Sequence, residues 1–118
     1  MRPVDDLNLG SRDLTGKPAE IRTQRDGDSL TITVCGEIDL STADDLDGAI
    51  RDAEDDREIG RIVVDLSDLA FLDSSGLSVL LKASLRSRED GNRLSFVPSK
   101  HEIVTSLIAL TGTGEMFD

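Results

Sequence analysis

The chain has 118 residues, which suits one domain around one core. With 13 basic against 24 acidic residues its net charge is −11, a field that repels nucleic acid and anionic membrane surfaces. Hydrophobic residues make up 37%, too many for a disordered acidic chain, and with three Phe and no Trp or Tyr the core must be aliphatic.

Residues 1–18 carry Pro3, Gly10, Gly16 and Pro18 among scattered charges. They read as a flexible N-terminal tail ahead of a single domain over 19–118. No apolar run approaches the roughly 20 residues of a membrane span. No apolar signal region opens the chain, so a cytoplasmic location is expected. Cys35 is the single cysteine, which excludes an internal disulfide and a cysteine-based metal cluster.

Ala19 to Arg25 reads as an edge strand, and Asp26-Gly27-Asp28 as a hairpin turn. Ser29 to Glu37 alternates, with Leu30, Ile32 and Val34 on one face and Thr31, Thr33 and Cys35 on the other. Gly36-Glu37-Ile38-Asp39 ends that strand. A helix follows, with Ser41 or Thr42 as its N-cap and Asp44 and Asp45 in its first turn, where acidic groups complement the dipole. Leu46, Ala49, Ile50 and Ala53 give its buried stripe. Its other face is acidic and reads either as a solvated surface or as a docking face for a basic partner.

Gly60 separates this helix from Arg61–Leu66, an apolar run without alternation, as in a central strand covered on both faces. Ser67 to Leu72 reads as a loop with apolar anchors. A second helix runs from about Ser75 to Arg88 and stops at Gly91-Asn92. Arg93–Val97 is a strand ended by Pro98. Lys100–Leu110 is a last helix with Ile103, Val104, Leu107 and Ile108 inward, and Glu115–Asp118 adds a possible edge strand. The order β-β-α-β-α-β-α implies a small α/β sandwich. Its mixed sheet has four to five strands, an N-terminal antiparallel hairpin and three to four helices.

Catalytic motifs are missing from the sequence. His101 is the single histidine, and no G-x-S-x-G elbow accompanies it. No P-loop and no zinc or calcium pattern occurs, so no cofactor and no metal are expected. A receiver-type phospho-acceptor would need an acidic pair after the first strand, whereas Asp5-Asp6 lies in the tail.

Asp73-Ser74-Ser75-Gly76 stands between the anchored loop and the second helix. Asp73 or Ser74 can cap that helix and do nothing more. Alternatively, a serine at a helix start is a phospho-switch, since a phosphate adds about −1.5 to −2 charges. Gly76 would then permit close approach of a partner or of the neighbouring loop.

Two segments together decide between these readings. Cys35-Gly36-Glu37-Ile38-Asp39 and the later Val63 to Leu77, with D-L-S-D-L-A-F-L-D-S-S-G-L at its centre, resemble the anti-sigma factor antagonists, single-domain members of the STAS family. The likeness covers about 19–117. Ser78 departs from it, standing where a second glycine is frequent. The resemblance implies a non-enzymatic partner switch. The unphosphorylated antagonist binds an anti-sigma factor, a serine kinase of the GHKL type, and frees a sigma factor for transcription. The kinase phosphorylates the acceptor serine, here Ser74, and a phosphatase reverses this. Asp73, Ser75 and Gly76, with Gly36, Glu37 and Asp39, would form the docking surface. No direct nucleic-acid or membrane contact is implied. Two other classes stay open at this point: a STAS-type accessory subunit of a transport or lipid-trafficking complex, and a nucleotide sensor.

Overall fold

The structure, a computed structural model, describes residues 19–109, with side chains described through 106. In chain order the elements are β1 (Glu20–Asp26), β2 (Ser29–Ile38), α1 (Leu40–Asp55), β3 (Arg61–Asp65), β4 (Leu69–Leu72), α2 (Ser74–Glu89), β5 (Leu94–Val97) and α3 (Glu102–Ala109). This is the expected α/β class. The sheet runs β1-β2-β3-β5, with β4 pairing β2. β1 and β2 form the antiparallel hairpin, Asp26 opposite Ser29, and the remaining pairings are parallel. The tail and the final strand expected at Glu115–Asp118 lie outside the described residues.

β2 organises the sheet because it is long enough to hold different partners along its length. Ser29 to Thr33 pair with β3, and Gly36 to Ile38 pair with β4. The change falls at a register shift between Gly36 and Glu37. Gly36 has φ +86°, a left-handed backbone that a residue with a Cβ adopts at a cost.

The core lies on one face of the sheet. Ile32, Val34, Ile62, Val64, Leu94 and Phe96 meet Ala43, Leu46, Ile50 and Ala53 of α1 and Leu80 and Ala83 of α2. Each fully buried Val, Leu or Ile contributes roughly 1.5–3 kcal/mol. Ala49 is half-buried at the margin.

Several expectations need correction. Residues 69–72 form β4 rather than loop, because Leu69 and Leu72 are buried while the backbone pairs with β2. β3 is not covered equally on both faces: Ile62 and Val64 are buried, whereas Val63 and Asp65 are half-buried. Asp39 caps α1, not Ser41 or Thr42, so the helix starts early and Asp44 and Asp45 fall in its second turn. In α3, Val104 is buried but Ile103 is 54% exposed. The expected inward Leu107 and Ile108 have side chains outside those described.

The end of α1 depends on a distant arginine. The last carbonyls of a helix lack intrahelical donors. Arg93 supplies donors there: Nη1 donates to Glu54 O at 3.0 Å and Nη2 to Asp56 O, the C-cap carbonyl, at 2.9 Å, while Nε donates to Ile59 O in the following loop at 3.0 Å. Nη1 also donates to Asp90 Oδ2 at 2.9 Å. The Arg93 side chain is only 11% exposed. Beside it, Arg86 of α2 pairs with Glu54 at 3.0 Å. This cluster ties the C-terminal ends of α1 and α2 to the start of β5, at the opposite end from the helix starts. Replacing Arg93 by Met keeps most of the stem but leaves these carbonyls unmet. Stability should fall by about 2–3 kcal/mol, read from the urea midpoint. No change in midpoint would contradict the clamp.

Candidate functional site

The two sequence motifs meet through the pairing of β2 with β4. Parallel register sets Glu37 opposite Phe71 and Ile38 opposite Leu72. The next residue on each strand is an aspartate, Asp39 or Asp73, and the Asp73 N–H donates to Ile38 O at 3.1 Å. Each aspartate then caps a helix, so α1 and α2 start side by side at one end of the sheet.

The caps differ in detail. Asp39 Oδ1 accepts from the backbone N–H groups of Ser41 and Thr42, both at 3.1 Å, and from both hydroxyls. Thr42 returns the bond, its Oγ1 accepting from Asp39 N at 2.8 Å, which completes a capping box. These donors, the Thr42 N–H first and the Ser41 hydroxyl next, hold the Asp39 carboxyl below the usual carboxylate range. Asp73 Oδ1 accepts from Ser75 N at 2.9 Å and Gly76 N at 3.1 Å, and the Leu77 N–H goes to Asp73 O. Asp73 therefore occupies the donors of the first turn of α2 beyond Ser74.

Ser74 is the first residue of α2. It is exposed, and its hydroxyl makes no hydrogen bond among the described residues. Ser75 is half-buried and turns towards a groove between α1 and α2. Glu37 and Gly36 are half-buried at the strand end, and the Gly36 N–H donates to Asp68 O at 3.2 Å. Gly76 is buried, and the close approach it permits within the chain is that of the neighbouring strand ends. A Cβ there would lie 2.7 Å from Ile38 Cγ2 and 3.3 Å from Leu72 Cβ. Its missing side chain lets α2 sit down on the ends of β2 and β4.

Two apolar residues at this end escape the sequence reasoning. Leu40, next to Asp39, is 70% exposed, and Phe71, opposite Glu37, is 39% exposed. Leu40 falls on the same helical stripe as Ala43, Leu46 and Ile50, so periodicity alone marks it as core. The site thus holds an exposed hydroxyl, three carboxylates and two apolar side chains. No group of His, Cys, Asp or Glu among the described residues is placed to hold a metal. No helix among them is long and apolar enough to cross a membrane.

The sequence matches the family described as "Mlab, STAS domain" over residues 21–117. The chain belongs to the STAS domain family. Solved structures agree in fold. An anti-sigma factor antagonist from Mycobacterium paratuberculosis is 27% identical, with a TM-score of 0.73 over 85% of this chain and 83% of that one. The anti-sigma factor antagonist SpoIIAA in its unphosphorylated form is 19% identical, with a TM-score of 0.70 over 84% and 86%. The phosphorylated form of the Bacillus protein gives 0.64 over 84% and 89%, also at 19% identity. The murine Slc26a9 anion transporter is 20% identical, with a TM-score of 0.61 over 96% of this chain and 18% of that one. At these last identities the likeness is one of fold.

Two outcomes follow from the geometry. Gly76→Val should lift α2 from the strand ends and cost about 1–3 kcal/mol by overpacking, read as a lower thermal midpoint. An unchanged midpoint would show that the helix start is not tightly seated. Asp39 is stabilising as the carboxylate, so its contribution is present above about pH 3.9 and is lost as pH falls through its lower folded value. An NMR titration should place the Asp39 midpoint below that of an unstructured aspartate, and Asp39→Asn should remove that part of the acid-dependent loss.

Proposed function

We propose that this STAS domain is an anti-sigma factor antagonist switched by phosphorylation of Ser74. In this reading the unphosphorylated protein binds an anti-sigma factor in the cytoplasm, and the sigma factor is thereby freed for transcription. The observation that carries it is the environment of Ser74: an exposed hydroxyl at the start of α2, next to the Asp73 cap and without a hydrogen bond among the described residues. The likeness to an anti-sigma factor antagonist across most of both chains supports it.

The chain contributes an acceptor and a docking surface rather than a catalyst. The partner would be a serine kinase of the GHKL type, supplying ATP, magnesium and the transfer machinery. The γ-phosphoryl group moves to Ser74 Oγ, the hydroxyl proton leaves, and ADP departs. A phosphatase would hydrolyse the ester and restore the hydroxyl. Because Asp73 already takes the N–H groups of Ser75 and Gly76, a phosphate would find few free donors at the helix start. It would meet the Asp73 and Asp39 carboxylates and be pushed outwards, carrying about −1.5 to −2 charges with its hydration shell. A surface that docks a partner at Leu40 and Ser74 would be obstructed. Asp73, Glu37 and Asp39 would shape that surface, Ser75 would flank it, and Gly36 and Gly76 would hold its backbone in place.

A second reading is a phosphorylation-independent accessory subunit of a transport or lipid-trafficking complex. The "Mlab" in the matching family's description and the fold shared with an anion transporter favour it. The two readings separate experimentally. Incubation with the anti-sigma kinase and ATP should place phosphate on Ser74 by mass spectrometry, and Ser74→Ala should remain unmodified. Ser74→Ala should bind the anti-sigma factor constitutively, while Ser74→Asp should bind about tenfold or more weakly. Full phosphorylation of Ser74→Ala would move the site elsewhere. Co-purification with membrane components and no phosphate would favour the accessory subunit.

A further inference from the structure

We propose that β1 is a self-association edge. It pairs antiparallel with β1 of a second copy of this chain, centred on Gln24, so that Arg22 of each copy faces Asp26 of the other. The inference is independent of the reading at Ser74. β1 and β5 stand at the two ends of the strand order, and among the described residues β1 pairs with β2 alone. β5 offers four residues before Pro98, whereas β1 offers seven, six of them exposed. An exposed edge of that length presents a row of unmet backbone donors and acceptors.

The turn decides which backbone groups face that edge. Asp26 stands opposite Ser29, with only Gly27 and Asp28 between them, and Gly27 has φ +65°, as a two-residue hairpin turn requires. The closing pair of such a turn is hydrogen-bonded, so alternation points the N–H and C=O groups of Glu20, Arg22, Gln24 and Asp26 at β2. Those of Ile21, Thr23 and Arg25 point outwards. Side chains alternate between faces. Ile21, Thr23 and Arg25 share the face of Val34, Ile32 and Leu30, towards α1, while Arg22, Gln24 and Asp26 lie on the face away from it. Arg25 is drawn to Asp56 at the end of α1, at 3.1 Å. Arg22 rests against Glu20 at 2.8 Å with its side chain 70% exposed, and Asp26 is exposed with no ion-pair partner among the described residues.

The charges then select one register. Residues directly opposite each other point to the same face, so two copies about a twofold axis normal to the sheet pair residues of like parity. Centred on Thr23, Glu20 would face Asp26 and acidic groups would meet twice. Centred on Arg22 or Arg25, that arginine would face itself. Centred on Ile21, Glu20 would face Arg22, but the overlap of the two strands would be residues 20–22 alone. Centred on Gln24, Arg22 faces Asp26 twice, the Gln24 amides meet, and Thr23 and Arg25 exchange backbone hydrogen bonds across the edge. Arg22 and Asp26 become non-hydrogen-bonded pairs, where side chains are closest, with about 4.5 Å between Cα atoms. The pairing covers residues 22–26, well below the roughly 1,200 Å² of a stable interface, and each copy carries −11, so the dimer is a transient one. Gln24 lies opposite Thr31 and Glu20 opposite Cys35, so the contact sits away from the Ser74 end, and the two Ser74 ends point in opposite directions.

Three measurements on the full chain test this, at about 0.15 M salt, where charges beyond about 8 Å are screened. Disulfide trapping in a Cys35→Ser background reads the register. Gln24→Cys should form a linked dimer at least about fivefold faster than Arg22→Cys or Thr23→Cys, because Gln24 alone lies opposite itself within reach of a disulfide. Fastest trapping of Ile21→Cys, or equal trapping at all these positions, would overturn the register. Charge exchange reads the pairs by sedimentation equilibrium. Arg22→Asp and Asp26→Arg should each weaken the dimer about tenfold or more, and the double variant should recover it. Folded single variants with no recovery in the double would overturn the Arg22–Asp26 pairing. Finally, the amide shifts of Thr23 and Arg25 should move as the protein is concentrated to about 1 mM. A monomer throughout that range would overturn the proposal. So would slow hydrogen exchange of these two amides in dilute protein, which would give the edge to another segment of the same chain.

Discussion

The parallel pairing of Gly36–Ile38 with Leu69–Leu72 is the constraint on which this molecule depends. It lasts only a few residues, yet it fixes where two helices begin. Ile38 and Leu72 are buried as a register pair, and the chain on each strand then turns outwards at an aspartate. Both aspartates act as N-caps, so the starts of α1 and α2 stand together without direct bonds between their side chains. A slip of one residue on either strand would turn Ile38 or Leu72 to the opposite face and separate the caps. Gly76 holds the arrangement from the helix side, because only the absence of a Cβ lets α2 approach Ile38 so closely.

The two ends of the α1–α2 pair have opposite characters. At the far end, Arg93, Arg86, Glu54 and Asp90 cross-link both helices and the start of β5 in a partly buried network. At the near end, among the described residues, Glu37, Asp39 and Asp73 have no basic partner, an apolar leucine stands in solvent, and the Ser74 hydroxyl makes no hydrogen bond. Stability is concentrated where nothing needs to bind, and unmet interaction capacity where something can. With the far end cross-linked in this way, a modification at Ser74 would act on a surface rather than on the fold. The donors of the first turn are already committed to Asp73, so a phosphate has little to reorganise inside the helix.

Much of this was legible in the sequence. The alternation of Leu30, Ile32 and Val34, the Asp26-Gly27-Asp28 turn and the stripe of α1 each carry a period or a turn signal. Their elements lie where that chemistry puts them. β4 was not legible, since residues 69–72 are too few to show a period and their strand character comes from β2. Asp39 was not legible as the cap, because Ser41 and Thr42 just beyond it are N-cap residues of equal quality. Only the direction of the backbone on leaving β2 selects Asp39. Leu40 shares its stripe with core residues, yet sits where the sheet ends and leaves it uncovered. The meaning of Asp73-Ser74-Ser75-Gly76 came from its pairing with Gly36-Glu37-Ile38-Asp39, far away in sequence. The structure supplies the physical link between them, a shared register.

The central claim is that one exposed hydroxyl, Ser74, decides whether this surface can be occupied. The most direct measurement compares stoichiometrically phosphorylated with unmodified protein in calorimetric titration against the anti-sigma factor. The account predicts tight binding of the unmodified form and a loss of about a hundredfold or more on phosphorylation, near 2.7 kcal/mol. Equal affinities for the two forms would contradict it.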